Sequence, residues 1–218
     1  MRRFLLVVLF AFTTALVSTA APPPPGYSPK VSVTGPTRMD WTFLVRNQSV
    51  AEPALLPKDY DSTKQSYELF VPVRKDAKKP APAIVFISAG DEPAGWKAFE
   101  TLCKDKGFVF IGVRGAGNGV DGPKRVRIIL DCLDDVRRQI PLDPDRTYTT
   151  GISGGGRIAC VLAFALPEYF GGMMPLEIDA TTLNASVTGT GNVNVLDILG
   201  GVTAQRAATG TTPPMTAG

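Results

Sequence analysis

Asp143-Pro144-Asp145-Arg146-Thr147-Tyr148-Thr149-Thr150-Gly151-Ile152-Ser153-Gly154-Gly155-Gly156-Arg157 is the stretch on which the reading of this chain turns. A β-like run, Arg146 to Gly151, leads into Gly-x-Ser-x-Gly, and an apolar helical run, Arg157 to Leu166, leads out of it. Strand, sharp turn, helix is the context of a serine nucleophile elbow. Strand and helix nearly touch in such a turn, so small residues are needed on either side, and Gly151 and Gly155 supply them. The backbone N–H of Gly154 would face the oxygen on which negative charge develops, and the positive end of the helix adds to it. The same residues would also suit an inert glycine-rich connection, or an anion site at a helix N-terminus. A serine nucleophile needs a base, most often histidine. None of the 218 residues is histidine.

Working outward, buried strands and amphipathic helices alternate. Tyr67 to Val73 alternates as a half-buried strand, as does Trp41 to Arg46, with a polar stretch between them. Ala83 to Ile87 is a continuous apolar run, the mark of a strand covered on both faces. Trp96 to Lys106 places Trp96, Phe99 and Cys103 on one helical face and closes at Gly107. Phe108 to Val113 is the next buried strand. Pro123 opens a helix whose apolar positions are Val126, Ile129, Leu130, Leu133, Val136 and Ile140, with charged residues expected opposite; Pro141 and Pro144 end it. Thr147 to Ile152 and Met173 to Ile178 read as strands. This alternation predicts a three-layer α/β architecture, a mostly parallel sheet with helices on both faces.

The ends have a different character. Arg2-Arg3, the apolar run Phe4 to Val17, and Ser18-Thr19-Ala20 read as a secretory signal, residues 1–20, placing the mature protein outside the cytoplasm, secreted or periplasmic. The apolar run is interrupted at Thr13 and Thr14 and is shorter than the roughly 20 residues of a membrane span. Removing Arg2 and Arg3 lowers 23 basic residues to 21, against 20 acidic ones. No basic patch interleaved with aromatics stands out, so nucleic acid is not an expected partner. Residues 21–38 read as a proline-rich linker, residues 39–178 as the folded core, and residues 179–218 as a low-complexity tail of Thr, Gly, Ala and Asn. Cys103, Cys132 and Cys160 lie in apolar stretches and read as small core residues. An odd count leaves at least one thiol unpaired within the chain. No His/Cys spacing suggests a metal, and no cofactor is expected.

Several of these pieces run in the order of a known group. Tyr67-Glu68-Leu69-Phe70-Val71-Pro72 is followed by Ile84-Val85-Phe86-Ile87-Ser88-Ala89-Gly90, then Asp134-Asp135-Val136, then Asp143-Pro144-Asp145-Arg146-Thr147-Tyr148 and the elbow, then Pro167-Glu168-Tyr169-Phe170-Gly171-Gly172. This order resembles secreted α/β-hydrolase-fold serine esterases of the polyhydroxybutyrate-depolymerase and feruloyl-esterase-like group. The resemblance implies cleavage of a small or polymeric carboxylic ester by acyl transfer. Ser153 would be the nucleophile and Gly154 an oxyanion donor, with Ala89 or Gly90 the other. The chain departs from the group after Ser153. An acid and a histidine should follow, yet only Glu168, Glu177, Asp179 and Asp197 do; Asp179 is the candidate acid, although it comes early and reads equally as an ordinary loop aspartate. The expectation is therefore a hydrolase-type sheet incomplete at its C-terminus, from a truncated or frame-shifted esterase, with impaired turnover. The alternative is a non-catalytic secreted binding or scaffold protein that keeps the elbow as inherited structure. Oligomeric state is not legible.

Two weaker signals fail on context. Gly115-Ala116-Gly117-Asn118-Gly119 lies between a strand and a helix, but its third glycine falls one place early for a dinucleotide fingerprint and Pro123 intervenes. It reads better as a flexible loop beside the elbow. Ser186 to Asp197 has the outline of a calcium loop, but Ser186, Thr188 and Thr190 stand where carboxylates are wanted. Asn47-Gln48-Ser49 and Asn184-Ala185-Ser186 match a glycosylation acceptor.

Overall fold

The computed structural model describes residues 22–38 and 58–176. The expected signal, the strand at 41–46, Asp179, the calcium-like segment, both glycosylation motifs and the tail lie outside the described residues.

Six strands form one sheet: β1 (Gly26–Ser32), β2 (Ser66–Val71), β3 (Ala81–Ile87), β4 (Val109–Val113), β5 (Leu142–Ile152) and β6 (Gly172–Leu176). Three helices connect the later ones: α1 (Trp96–Lys106), α2 (Gly122–Gln139) and α3 (Gly154–Ala165). The strand order is β1-β2-β4-β3-β5-β6. β2 runs antiparallel to both β1 and β4, whereas β4, β3, β5 and β6 are mutually parallel. The parallel strands need crossover helices, and the periodicity of α1, α2 and α3 provides them.

Side-chain alternation divides the core in two. Ala83, Val85 and Ile87 of β3, with Val109, Ile111 and Val113 of β4, pack beneath α2 and α3 in the larger apolar cluster. Ile84, Phe86 and Phe110 point the other way and meet Phe99 and Cys103 of α1. Helices therefore cover both faces, as the sequence predicts. All three cysteines are buried and free. Gly107, at φ 72°, closes α1, and its N–H returns to the Cys103 carbonyl. That left-handed cap is why the helix ends where the sequence places its end.

One expectation needs correction. Residues 21–38 are not simply a linker, because Gly26–Ser32 forms β1 at the sheet edge. Pro29 is compatible with this because the pairing slips between Ser28 and Val31, and edge bulges tolerate the missing N–H. The charged face of α2, opposite its apolar stripe, is covered by another segment of the chain. Asp131, Asp134 and Asp135 are buried there, and the chain leaving β1 lies across them. Asp135 accepts from the Thr34 N–H at 2.8 Å and the Tyr67 hydroxyl at 2.7 Å. Asp131 accepts from the Thr37 N–H and the Tyr60 hydroxyl, both at 2.7 Å. Asp134 accepts from the Arg38 N–H at 2.8 Å. The acids serve backbone donors that water would otherwise satisfy.

Candidate active site

The carboxyl ends of β3, β5 and β6 converge on Ser153. β5 begins earlier than the sequence suggests, at Leu142, with an irregularity before Thr147. Within it Asp143 accepts from the Asp145 N–H at 3.1 Å and from Arg146 Nε at 2.7 Å, while its carbonyl accepts from Thr147 Oγ1 at 2.7 Å. The Asp-Pro-Asp-Arg lead-in is thus a self-bonded turn that sets the register of the strand behind it.

At the far end, Ser153 has φ 53° and ψ −119°, and among the described residues it is the one non-glycine with positive φ. A backbone forced into this region costs about 1–3 kcal/mol and persists only where its surroundings over-determine it. The surroundings are visible. The Ser153 N–H donates to the Leu176 carbonyl at the end of β6 (3.0 Å), and its own carbonyl accepts from the Arg157 N–H in the first turn of α3 (3.1 Å). A Cβ on either Gly151 or Gly155 would collide with the carbonyl group of Ile87. Strand β3, strand β5 and helix α3 therefore meet at backbone-to-backbone distance, which only glycine allows.

The loop after β3, Ser88 to Asp91, lies at the same edge. The Gly90 N–H turns back to Ser88 Oγ at 3.1 Å, and the Ala89 carbonyl accepts from the Asn118 N–H at 2.8 Å. The glycine-rich loop after β4, expected to be flexible, is tied down. Gly115 N–H donates to the Asp91 carbonyl at 2.7 Å, and Gly117 N–H to Asp91 Oδ1 at 3.2 Å. Arg125, in the first turn of α2 and 5% exposed, reaches over it. Its Nη2 donates to the Ser88 carbonyl at 3.0 Å and its Nη1 to Asn118 Oδ1 at 3.1 Å. Burial pushes the Arg125 guanidinium down to about 10; neighbouring Arg157 adds to this and Asp91 opposes it. Arg125 remains a cation at neutral pH.

The structure thus brings Ser153, Gly151, Gly154, Gly155, Ala89 and Gly90 to one sheet edge, while Asp179 falls outside the described residues. Asn118 and Arg125 join them, and the sequence reading missed both. The one signal for Asn118 was Gly154: a Cβ there would strike the Asn118 amide. Among the described residues no cluster of His, Cys, Asp or Glu is arranged to hold a metal ion, and no helix is long and apolar enough to cross a membrane.

No protein-family model matches the sequence, and no curated protein matches it. Solved structures do. The fluorophosphonate-binding serine hydrolase F of Staphylococcus aureus, solved with substrate bound, superposes with a TM-score of 0.53 at 15% identity, over 84% of this chain and 75% of that one. The S-formylglutathione hydrolase of Staphylococcus aureus gives a TM-score of 0.48 at 17% identity, over 65% of this chain and 68% of that one. An acetyl xylan esterase from Aspergillus awamori gives 0.42 at 16% identity, over 56% of this chain and 52% of that one. With the strand order, the antiparallel second strand and helices on both faces, the first of these similarities identifies the architecture of this chain as an α/β-hydrolase-type fold.

Proposed function

We propose that this chain is a secreted serine hydrolase of carboxylic esters that works through Ser153 and is impaired by the lack of histidine. The observation that carries the reading is the backbone of Ser153, held at φ 53° between the end of β5 and the start of α3. A strained serine over-determined by glycine contacts on both sides has no structural use that an unstrained turn would not serve better. The solved structures of similar fold include enzymes named as serine hydrolases and esterases, which supports the same class.

In this mechanism Ser153 Oγ attacks the ester carbonyl, the alcohol leaves, and water then releases the acid and regenerates the hydroxyl. The Gly154 N–H and the Ala89 N–H stabilise the developing oxyanion; the Gly90 N–H, turned to Ser88 Oγ, is the less suitable donor. The step without an assigned residue is removal of the Ser153 proton. Loss of the base from such a site costs about 10⁶ in kcat, leaving roughly 10³ to 10⁴ over water. Turnover of p-nitrophenyl acetate should therefore be weak, and added imidazole should raise it above the rate of imidazole alone by an increment that vanishes in Ser153→Ala. Robust turnover without imidazole would overturn the impairment. An imidazole-dependent increment equal in Ser153→Ala would overturn the nucleophile and favour a binding or scaffold role. Secretion is checked on the same preparation: expressed with its leader, the exported protein should begin at Ala21.

A further inference from the structure

Asn118 sits on the loop after β4, and it is hydrogen-bonded to the loop after β3 and to the start of α2. Its N–H donates to the Ala89 carbonyl at 2.8 Å, which anchors it to the loop after β3. Its Oδ1 accepts from Arg125 Nη1 at 3.1 Å. Arginine only donates, so this contact settles which end of the amide is oxygen and leaves the NH₂ group on the other side. The amide packs directly over the residue that follows Ser153: a Cβ built on Gly154 would collide first with Asn118 Oδ1 and would lie 2.7 Å from Cγ and 2.9 Å from Nδ2. Asn118 is exposed, and among the described residues its Nδ2 has no hydrogen-bond partner. The guanidinium that orients it is buried and is itself fixed by the Ser88 carbonyl at 3.0 Å.

A side chain clamped at its oxygen, with an unused donor on an amide that lies over Gly154, is arranged as a hydrogen-bonding arm and not as filler. We propose that Asn118, oriented by Arg125, donates from Nδ2 to the acyl oxygen of the ester bound at Ser153, as a third donor beside the two backbone N–H groups. Arg125 acts through Asn118 and is a positioning residue. The proposal rests on Ser153 being the nucleophile. It also explains the glycine at 154, because any side chain there would displace the amide.

The test is the second-order rate of labelling of Ser153 by a fluorophosphonate, whose phosphoryl oxygen takes the place of the acyl oxygen, with imidazole present. It is measured on the full chain and on Asn118→Ala, Asn118→Asp and Arg125→Met. Asn118→Asp is the sharp variant. It keeps the shape and the bond from Arg125 but removes the donor, so a merely structural role would be rescued by it. Labelling should fall by about 10²-fold in both Asn118 variants, with the thermal midpoint of Asn118→Asp unchanged, and by less in Arg125→Met. Labelling of Asn118→Asp at the wild-type rate overturns the donor role and leaves the nucleophile standing. A wild-type chain that never labels overturns both.

Discussion

Ser153 carries conformational strain that no local preference of its sequence would choose. Serine at φ 53° is stable here only because the carbonyls of Ile87 and Leu176 and the start of α3 leave it no other path. Replacing it with glycine should release that strain, offset in part by the greater freedom glycine has when unfolded. Ser153→Gly is therefore expected to be more stable by about 1 kcal/mol in urea denaturation while losing all labelling. A variant no more stable than the wild type would show that the turn is relaxed. The sequence made this residue legible through its glycines: Gly151 and Gly155 stand where two backbones touch, and that requirement is written in residue type. Asn118 was not legible, because an asparagine in a glycine-rich loop is ordinary until the buried cation that holds it is located.

At the scale of elements, α2 is the helix whose character the sequence only half revealed. Its apolar stripe was plain from spacing, and Val126, Ile129, Leu130, Leu133 and Val136 are buried as that stripe requires. Spacing also placed its charged residues opposite that stripe. Periodicity separates polar from apolar positions but does not say whether water or another segment meets the polar side. Here residues 33–38 meet it, delivering backbone N–H groups to Asp131, Asp134 and Asp135. Asp135 is fully buried, and Arg138 lies 3.3 Å from its carboxylate. Removing it leaves the Thr34 N–H and the Tyr67 hydroxyl without their acceptor. Asp135→Ala should cost about 3 kcal/mol in urea denaturation, with limited proteolysis newly cutting between residues 33 and 38. A loss below about 0.5 kcal/mol would mean the arm is held by β1 alone.

Over the whole molecule, the buried ionisable groups set an alkaline limit. Burial pushes the Cys103 thiol up to about 12 and the Cys160 thiol up to about 11, from an ordinary value of 9.0. Cys132 is raised well above that value by burial first and then by Asp131 and Asp135. Tyr60 and Tyr67 are likewise raised, by burial and then by their hydrogen bonds to Asp131 and Asp135. In the unfolded chain these thiols lose their protons near 9.0, whereas in the folded protein they hold them to about 11 or beyond. Ionisation therefore favours the unfolded state as pH rises past 9, and the stabilisation present below that point is lost progressively toward 12. The thermal midpoint should be level in this respect up to about pH 8 and should fall steadily above pH 9. A midpoint unchanged at pH 10.5 would contradict the burial of these groups.

Several properties of this protein followed from order along the chain alone. Runs of Val, Ile and Phe alternating with amphipathic segments required a parallel sheet covered on both faces, because strands without polar alternation have to be buried on both sides. The glycines around Ser153 marked a strand-to-helix turn too tight for side chains. Those are local demands of backbone and burial, and they are met close to where they are written. Tertiary structure decided what depends on partners distant in sequence. It made an expected linker into an edge strand, gave the acids of α2 a backbone to bind some 95 residues away, and set the Asn118 amide on Gly154 under the hold of Arg125. Hydrogen bonds of that kind depend on the position of a donor in space, and a linear pattern of residue types carries no such position.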